Sequence, residues 1–530
     1  MRFSIHNAGL RRLRPEVLAA TLALATLPAI LPGHAGAATR SHTATGTLTI
    51  AIGSQPQSLD PSKDDNGDGL FAAELLYEPL INETANGGFA PGLASSWKYI
   101  GSGNKAFEMT IRQGVKFSDG EPVNAAAVVA GLEYNAKGSG PAASNFTGVS
   151  VKATGPYTVL VTTKVPNPEF PLTFAQRSLS GDIVCPKALA NAASLASAPC
   201  GAGPYVLDSS ATVIGSKYVF TPNPNYYDAA RIHYSQITLS VIGSPTSALN
   251  ALKTGQVQVI SPLDTSIQQY APAKAAGLNV DVLGATHFLP VWIMDRNGKT
   301  VPALGNVMVR QALNYALNRA AIARVAYGVL GAPDDQPATP GWDGYNPSLA
   351  NYYTYNPTKA KALLKAAGYA KGFSFKILYI TSQVPASLGL QAMAQEWAAI
   401  GVKAILVPES GFPPFSAAQT TLKYSGFELD WGSGDILGYA NLLWFAQTGA
   451  NAFNATSPAA FKLYNEAISA PTSQVYRKFQ AVGAYMTKNA YQVVAALGKS
   501  FVLATNGVKG LPTPGSALPA GFNVVDIYGG

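Results

Sequence analysis

The segment Trp431-Gly-Ser-Gly-Asp-Ile-Leu-Gly-Tyr-Ala-Asn441 carries the side chains best suited to hold a small molecule. Asp435 stands six positions before Asn441, with Trp431 ahead of it, Tyr439 between them, and Trp444 and Gln447 just beyond. A carboxylate shielded from water makes charge-assisted hydrogen bonds roughly twice as strong as neutral ones. Asp435 is therefore a candidate partner for an amine or another donor on a bound solute. The aromatic and amide side chains, with Tyr379 upstream, suit stacking on a sugar or a peptide backbone and hydrogen bonding to it. They also suit core packing. Asp435 has a second possible role as a helix N-cap, because a helix can follow at Tyr439. The residues leave both roles open.

Other constellations are weaker. Asp64-Asp-Asn-Gly-Asp-Gly69 has the oxygen spacing that opens a calcium loop. The bidentate acid expected at its twelfth position is replaced by Leu75, with Glu74 one residue short. The ordinary reading is a turn whose acids favour the following helix N-terminus. Asn297-Gly-Lys-Thr300 lacks the upstream glycine of a phosphate loop. His42, His233 and His287 are not at metal-ligand spacing. No metal or cofactor is expected from these patterns. Neither a Gly-x-Ser-x-Gly elbow nor a convincing pair of catalytic carboxylates occurs, so the chain reads as a binder and not an enzyme. A secreted hydrolase remains the rival from another class.

The elements that must position these residues alternate between strand and helix, which predicts α/β layers. Leu48, Ile50 and Ile52 alternate with smaller residues as in a strand. Phe107–Ile111, Tyr157–Thr162, Ile237–Ile242, Phe373–Ile380 and Val402–Val407 also read as strands. Asn124 caps a helix over Ala125–Tyr134, and Pro245–Thr254 is a helix ended by Gly255. Val309, Ala312, Leu313, Ala316 and Leu317 share one helical face. Asn356 caps a helix with Pro357 in its first turn and Gly368 past its end. Leu388–Ile400 is a further helix closed by Gly401, and Asn191–Ser197 is a loop or weak helix.

The N-terminus has the layout of an export signal. Arg2, Arg11, Arg12 and Arg14 precede an apolar core over Val17–Leu31, and Ala35-Gly36-Ala37 is a small-x-small cleavage site. No cysteine lies near that site, so a lipid anchor is not expected. The formal charge of +8 becomes 8 − 4 + 1 = +5 once those four arginines and Glu16 are removed. No Lys/Arg cluster interleaved with aromatics points to nucleic acid. The two cysteines, Cys185 and Cys200, are predicted to pair in an oxidising compartment.

Six segments in fixed order carry a family resemblance. They are Leu48-Thr-Ile-Ala-Ile-Gly-Ser-Gln-Pro-Gln-Ser-Leu-Asp-Pro61, Ala90-Pro-Gly-Leu-Ala-Ser-Ser-Trp97, Ile111-Arg-Gln-Gly-Val-Lys-Phe-Ser-Asp-Gly120, Gly201-Ala-Gly-Pro-Tyr-Val206, Val309-Arg-Gln-Ala-Leu313 and Lys359-Ala-Lys-Ala-Leu-Leu364. Together they resemble the family 5 extracellular solute-binding proteins, the dipeptide, oligopeptide and nickel receptors of ABC importers. The resemblance implies a large, three-subdomain, periplasmic-binding-protein-like α/β fold with a ligand cleft between two lobes. It implies a signal over residues 1–37, a first lobe over 38–281 with an insertion at about 83–199, and a second lobe over 282–494. Residues 495–530 would return to the first lobe.

In similar proteins the Asp at the position of Asp435 grips a peptide's α-amino group, and the loop holding Ser54 and Gln55 lines the cleft floor. The Asp-Pro-Asp stretch of those relatives is here Leu437-Gly-Tyr-Ala440, and Thr381-Ser-Gln-Val-Pro385 lacks their carboxylate-clamping Arg. A longer peptide, an amine or a neutral solute such as an oligosaccharide thereby gains ground over a dipeptide. The expected product is a monomeric, exported receptor serving a membrane permease.

Overall fold

The computed structural model describes residues 44–64, 67–430, 436–512 and 523–529, with the backbone but not the side chain of Asn441. The expected signal, Trp431, Asp435, and Asp65 and Asn66 of the acidic loop lie outside the described residues.

The chain enters on β1 (Thr47–Ile52), whose Leu48, Ile50 and Ile52 are buried, and passes through helix α1 (Gly69–Leu76). It then builds an antiparallel layer of β2 (Ala94–Tyr99), β3 (Ala106–Ile111), β4 (Val149–Gly155) and β5 (Thr158–Thr163) in the order β2-β3-β5-β4. Helix α2 (Ala125–Asn135) lies within this excursion, and the Asn124 side chain caps it by accepting from the Ala127 amide. Phe107, Met109, Phe170 and Phe174 fill the core of the layer. Cys185 and Cys200 are joined there, their Cα atoms 5.4 Å apart.

Apart from two short pairs, Ile81–Glu83 with Phe89–Pro91 and Val508–Lys509 with Tyr528–Gly529, the remaining described strands share one eleven-stranded sheet. Its first half holds β6 (Tyr205–Leu207), β7 (Lys217–Pro222), β8 (Gln236–Val241) and β9 (Val259–Ile260), with β1 parallel to both β8 and β9. Helices α3 (Pro245–Lys253) and α4 (Ile267–Ala275) cover it.

Two long strands tie this half to the other. β10 (Asn279–Ile293) pairs along almost its whole length with β15 (Gln492–Ala504). Asn279–Val282 meet Phe501–Ala504 beside β9, whereas Phe288–Trp292 meet Gln492–Leu497 in the second half. Between these stretches the register shifts at Val282/Ala285 and at Ala285/His287. Such bulges bend a strand and re-aim its side chains.

The second half of the sheet adds β11 (Gly331–Pro333) against β15. It also adds the parallel set β12 (Phe373–Ile380), β13 (Val402–Glu409) and β14 (Gly426–Glu428), of which β14 runs antiparallel to β10. One face is packed by α5 (Val307–Tyr315), α6 (Arg319–Tyr327), α7 (Pro357–Ala366) and α8 (Val384–Ala398), with Trp397 buried and its indole donating to Leu313. The other face meets α9 (Ile436–Ala440), α10 (Pro458–Ile468) and α11 (Thr472–Lys488).

Candidate ligand cleft

Strand direction locates the site. β1, β8 and β9 all end in the same direction, at Ile52, Val241 and Ile260. Because β9 is antiparallel to β15, that edge points toward the bulged crossing. In the second half β12, β13 and β14 end at Ile380, Glu409 and Glu428, and β14 antiparallel to β10 puts this edge against the same crossing. Ligands of open α/β sheets bind outside the carboxyl ends of the strands. Here two such edges face one another across β10 and β15.

The first edge carries Ser54 and Gln55. Ser54 donates its backbone N–H and its hydroxyl to Asp68 Oδ2, at 2.7 and 2.8 Å. Asp264 comes so close to the backbone that a Cβ on Gly53 would lie 2.0 Å from its Oδ1, so a side chain there would have to displace the Asp264 carboxylate. Burial, together with the charge and hydrogen bond of Asp68, pushes the Asp264 carboxyl up to about 7. The charge of Asp68 beside it disfavours ionisation of the Asp264 carboxyl. Gln55 is exposed, its Oε1 beside Gly215 in the turn before β7.

Asp68 thus has an oxygen committed to Ser54. Leu75, at the twelfth position of the acidic loop, is in the core, and Glu74 accepts from the Val524 amide at 2.9 Å. The described part of the loop is built as a support for Ser54.

The second edge is organised around Asp430, directly after β14. Its Oδ2 lies 2.9 Å from His287 Nδ1, and its Oδ1 accepts from the Phe288 amide at 3.0 Å. Gln383 brackets the backbone of Asp430, donating to its carbonyl and accepting from its N–H. Burial pulls the His287 imidazole down, but the hydrogen bond and charge of Asp430 outweigh it and leave the group raised. The Tyr327 ring stacks on His287 with centroids 5.8 Å apart. A Cβ on Gly498 would sit 2.6 Å from Tyr327 Cδ1 and 2.9 Å from His287 Cβ. Glu428 is fully buried, and burial followed by the charge of Asp430 raises it well above the usual carboxyl range.

The structure separates the other predicted residues. Tyr439, half-buried on α9, packs edge-on against Trp292 at 5.5 Å. Tyr379 is on the opposite face of the sheet, packed on the cluster under α8. Trp444 is fully buried, 6.2 Å from Trp292, and is core. Gln447 is exposed. Helix α9 begins at Ile436, three residues ahead of the expected Tyr439, with Asp435 immediately before it in sequence. Asn441 opens a π turn over Asn441–Phe445.

Arg296 was not singled out from the sequence, and it fixes that turn. Its guanidinium donates to the carbonyls of Ile293, Leu443 and Ala455 and to Asn451 Oδ1. The adjoining Asn297-Gly-Lys-Thr300 is a brace of the same kind: Asn297 and Lys299 donate to the Phe453 carbonyl, and Asp295 gathers the amides of Lys299, Thr300 and Val301.

Two α/β halves joined by paired crossing strands, with their carboxyl edges opposed, define a two-lobed binding protein. The chain belongs to the bacterial extracellular solute-binding proteins, family 5, whose profile matches residues 88–453. It is 28% identical over 370 residues to the glutathione-binding protein GsiB of Escherichia coli K12, covering 67% of this chain and 68% of that one. Among solved structures it is similar to HbpA2 from Haemophilus parasuis, at 25% identity and a TM-score of 0.77, covering 90% of this chain and 98% of that one. DppA from Helicobacter pylori, solved in complex with the peptide STSA, shares the fold at a TM-score of 0.70 and 21% identity, over 91% of this chain and 98% of that one.

Proposed function

We propose that the protein is an exported receptor that captures a peptide between its two lobes and delivers it to the permease of an ABC importer. It would act as a monomer and catalyse no reaction. The observation that carries this reading is the convergence of both carboxyl edges on the bulged crossing. Buried or half-buried carboxyl groups stand at each edge, Asp68 with Asp264 on one side and Asp430 on the other. Such a crevice suits a ligand whose donors are distributed along its length, as the N–H groups and amino terminus of a peptide are. GsiB is named for glutathione and DppA was solved with a tetrapeptide, which fits the same class. Asp435 would add an amine contact, with Trp431, Tyr439 and Asn441 beside it.

We divide the chain as a first lobe over residues 38–281, a second over 282–494 and a returning segment over 495–530, with the bulges near His287 serving as the hinge. Ligand contacts to both lobes would drive closure. Native mass spectrometry of protein purified from its own host should show a peptide released on denaturation. Recovery of a saccharide instead would replace the substrate class and keep the receptor role. Turnover of the bound molecule would sink the receptor reading.

A further inference from the structure

Away from the crossing, the inserted layer touches the second half of the chain at a second place. The β2–β3 hairpin turns at Gly101–Asn104, and Asn104 has a left-handed backbone with φ of 53°. Its carbonyl accepts from the Asn167 amide at 2.9 Å, which holds the tip within its own layer. Its side chain points the other way. Both protons of the carboxamide are donated, one to the carbonyl of Ile468 and one to that of Ala470, each at 2.8 Å. Asn104 is only 5% exposed. Ile468 is the last residue of α10, where helix carbonyls lack intrahelical partners and carry the negative end of the helix dipole.

Nearby, Arg177 lies 3.2 Å from Glu83 in the same half of the chain and places its guanidinium 4.7 Å from the centre of the Trp342 ring, across the divide. A cavity of about 250 Å³ lies at this contact, lined by Glu83, Phe89 and Arg177 on one side and Trp342, Val475 and Tyr476 on the other.

We propose that Asn104, seconded by Arg177, is an interlobe latch: a positioning residue that binds the end of α10 only when the lobes are closed and so slows ligand release. The inference rests on the two-lobed receptor reading. A contact made in one state alone shifts the population toward that state. Glycine would fit the left-handed turn with no steric cost. Asparagine fits it too and adds two donors that match two helix-end carbonyls. If the lobes part, the amide and both carbonyls return to water, so the bonds count toward closure and not toward the fold of either lobe.

The test measures the distance between lobes in the full mature protein. Cys185 and Cys200 are joined and the chain has no other cysteine. The exposed Lys152 and Lys462 can therefore be replaced by cysteine and labelled for single-molecule energy transfer without reduction. Molecules are read alone and with a tryptic digest of casein as the peptide probe. Asn104→Gly keeps the turn and removes the amide, and the ratio of short to long distances should fall about tenfold. Asn104→Asp sets a carboxylate against two carbonyls and should lower it further. Melting temperatures of both variants should stay near that of the parent.

An unchanged distance ratio in Asn104→Asp overturns the latch. So does a parent protein with no short-distance population in either condition. A lowered melting temperature with an unchanged ratio would assign Asn104 a structural role and equally overturn it. If the digest leaves the parent unmoved while the variants still open, the latch stands and the peptide reading fails.

Discussion

Replacing Arg296 by Met tests whether the π turn after Asp435 is held in place by one half-buried cation. Methionine fills much of the same volume and removes every donor. Three backbone carbonyls, those of Ile293, Leu443 and Ala455, then lose a charged partner, and Asn451 Oδ1 loses one of its contacts. A buried polar group left unsatisfied costs about 1–3 kcal/mol. The three carbonyls together would reach about 3–9 kcal/mol if they remained dry, and entry of water moves the expectation to the lower end, about 3–5 kcal/mol. The stacking of the guanidinium on Tyr491, at 5.0 Å, adds about 0.5–2 kcal/mol. Burial lowers the arginine to about 10, so it is charged at neutral pH and its loss should be felt equally from pH 6 to 8. Urea unfolding followed by tryptophan fluorescence reads the stability, and calorimetry with the co-purified solute reads binding. Arg296→Met should lose both, and Arg296→Lys should recover part of the stability. A Met variant within about 1 kcal/mol of the parent would refute the argument, because solvent or repacking would then have satisfied those carbonyls at little cost.

Asp430→Asn should flatten the pH dependence of stability. The folded-state pKa of His287 is raised above its ordinary 6.5, so the folded protein binds that proton more tightly. The stabilisation is complete below 6.5 and fades as pH rises through the raised value. Thermal melts from pH 5 to 9 should fall less steeply in the variant than in the parent, the remaining slope coming from raised carboxyls such as Asp264 at about 7 and Glu74 at about 8; equal slopes would assign the dependence to groups other than His287. Asp435→Asn should weaken binding of the co-purified solute by about 2–5 kcal/mol with little change in stability. A loss of about 1 kcal/mol of stability at unchanged affinity would assign Asp435 to helix capping instead. Thiol titration of unfolded, unreduced protein from its native host should find no free thiol, and two free thiols would defeat the Cys185–Cys200 bridge.

Local signals and long-range ones divided sharply in how far they could be read. The alternation in β1, the full extent of Phe373–Ile380, and the Asn356 cap with Pro357 behind it all follow from residues within one turn or one strand of each other. Helix α8 begins at Val384, four residues before the expected start at Leu388. Pro385 looks like a break in sequence, yet it sits in the first turn, where a missing N–H removes no helical bond. The ordered family segments carried the two-lobed architecture, because each is a short stretch whose meaning lies in its order.

The residues that shape the proposed cleft had no such signature. Asp430 meets His287 across 143 positions, and Asn104 meets Ile468 across 364. Each is an unremarkable polar residue in its own neighbourhood, and its partner is specified only once β10 and β15 bring distant segments together. The register shifts that make the crossing possible occur within a run, Asn279–Ile293, that is otherwise a continuous strand. A single strand's sequence does not state where its partner's register slips. Closure and recognition are thereby linked in one place: the strand that bends between the lobes also carries His287, and Asp430 ties that residue to the edge where a solute would rest. A substitution at this ion pair should therefore change how the lobes move as well as what they hold, whereas a substitution at Asn104, remote from the crossing, should change only how long they stay shut.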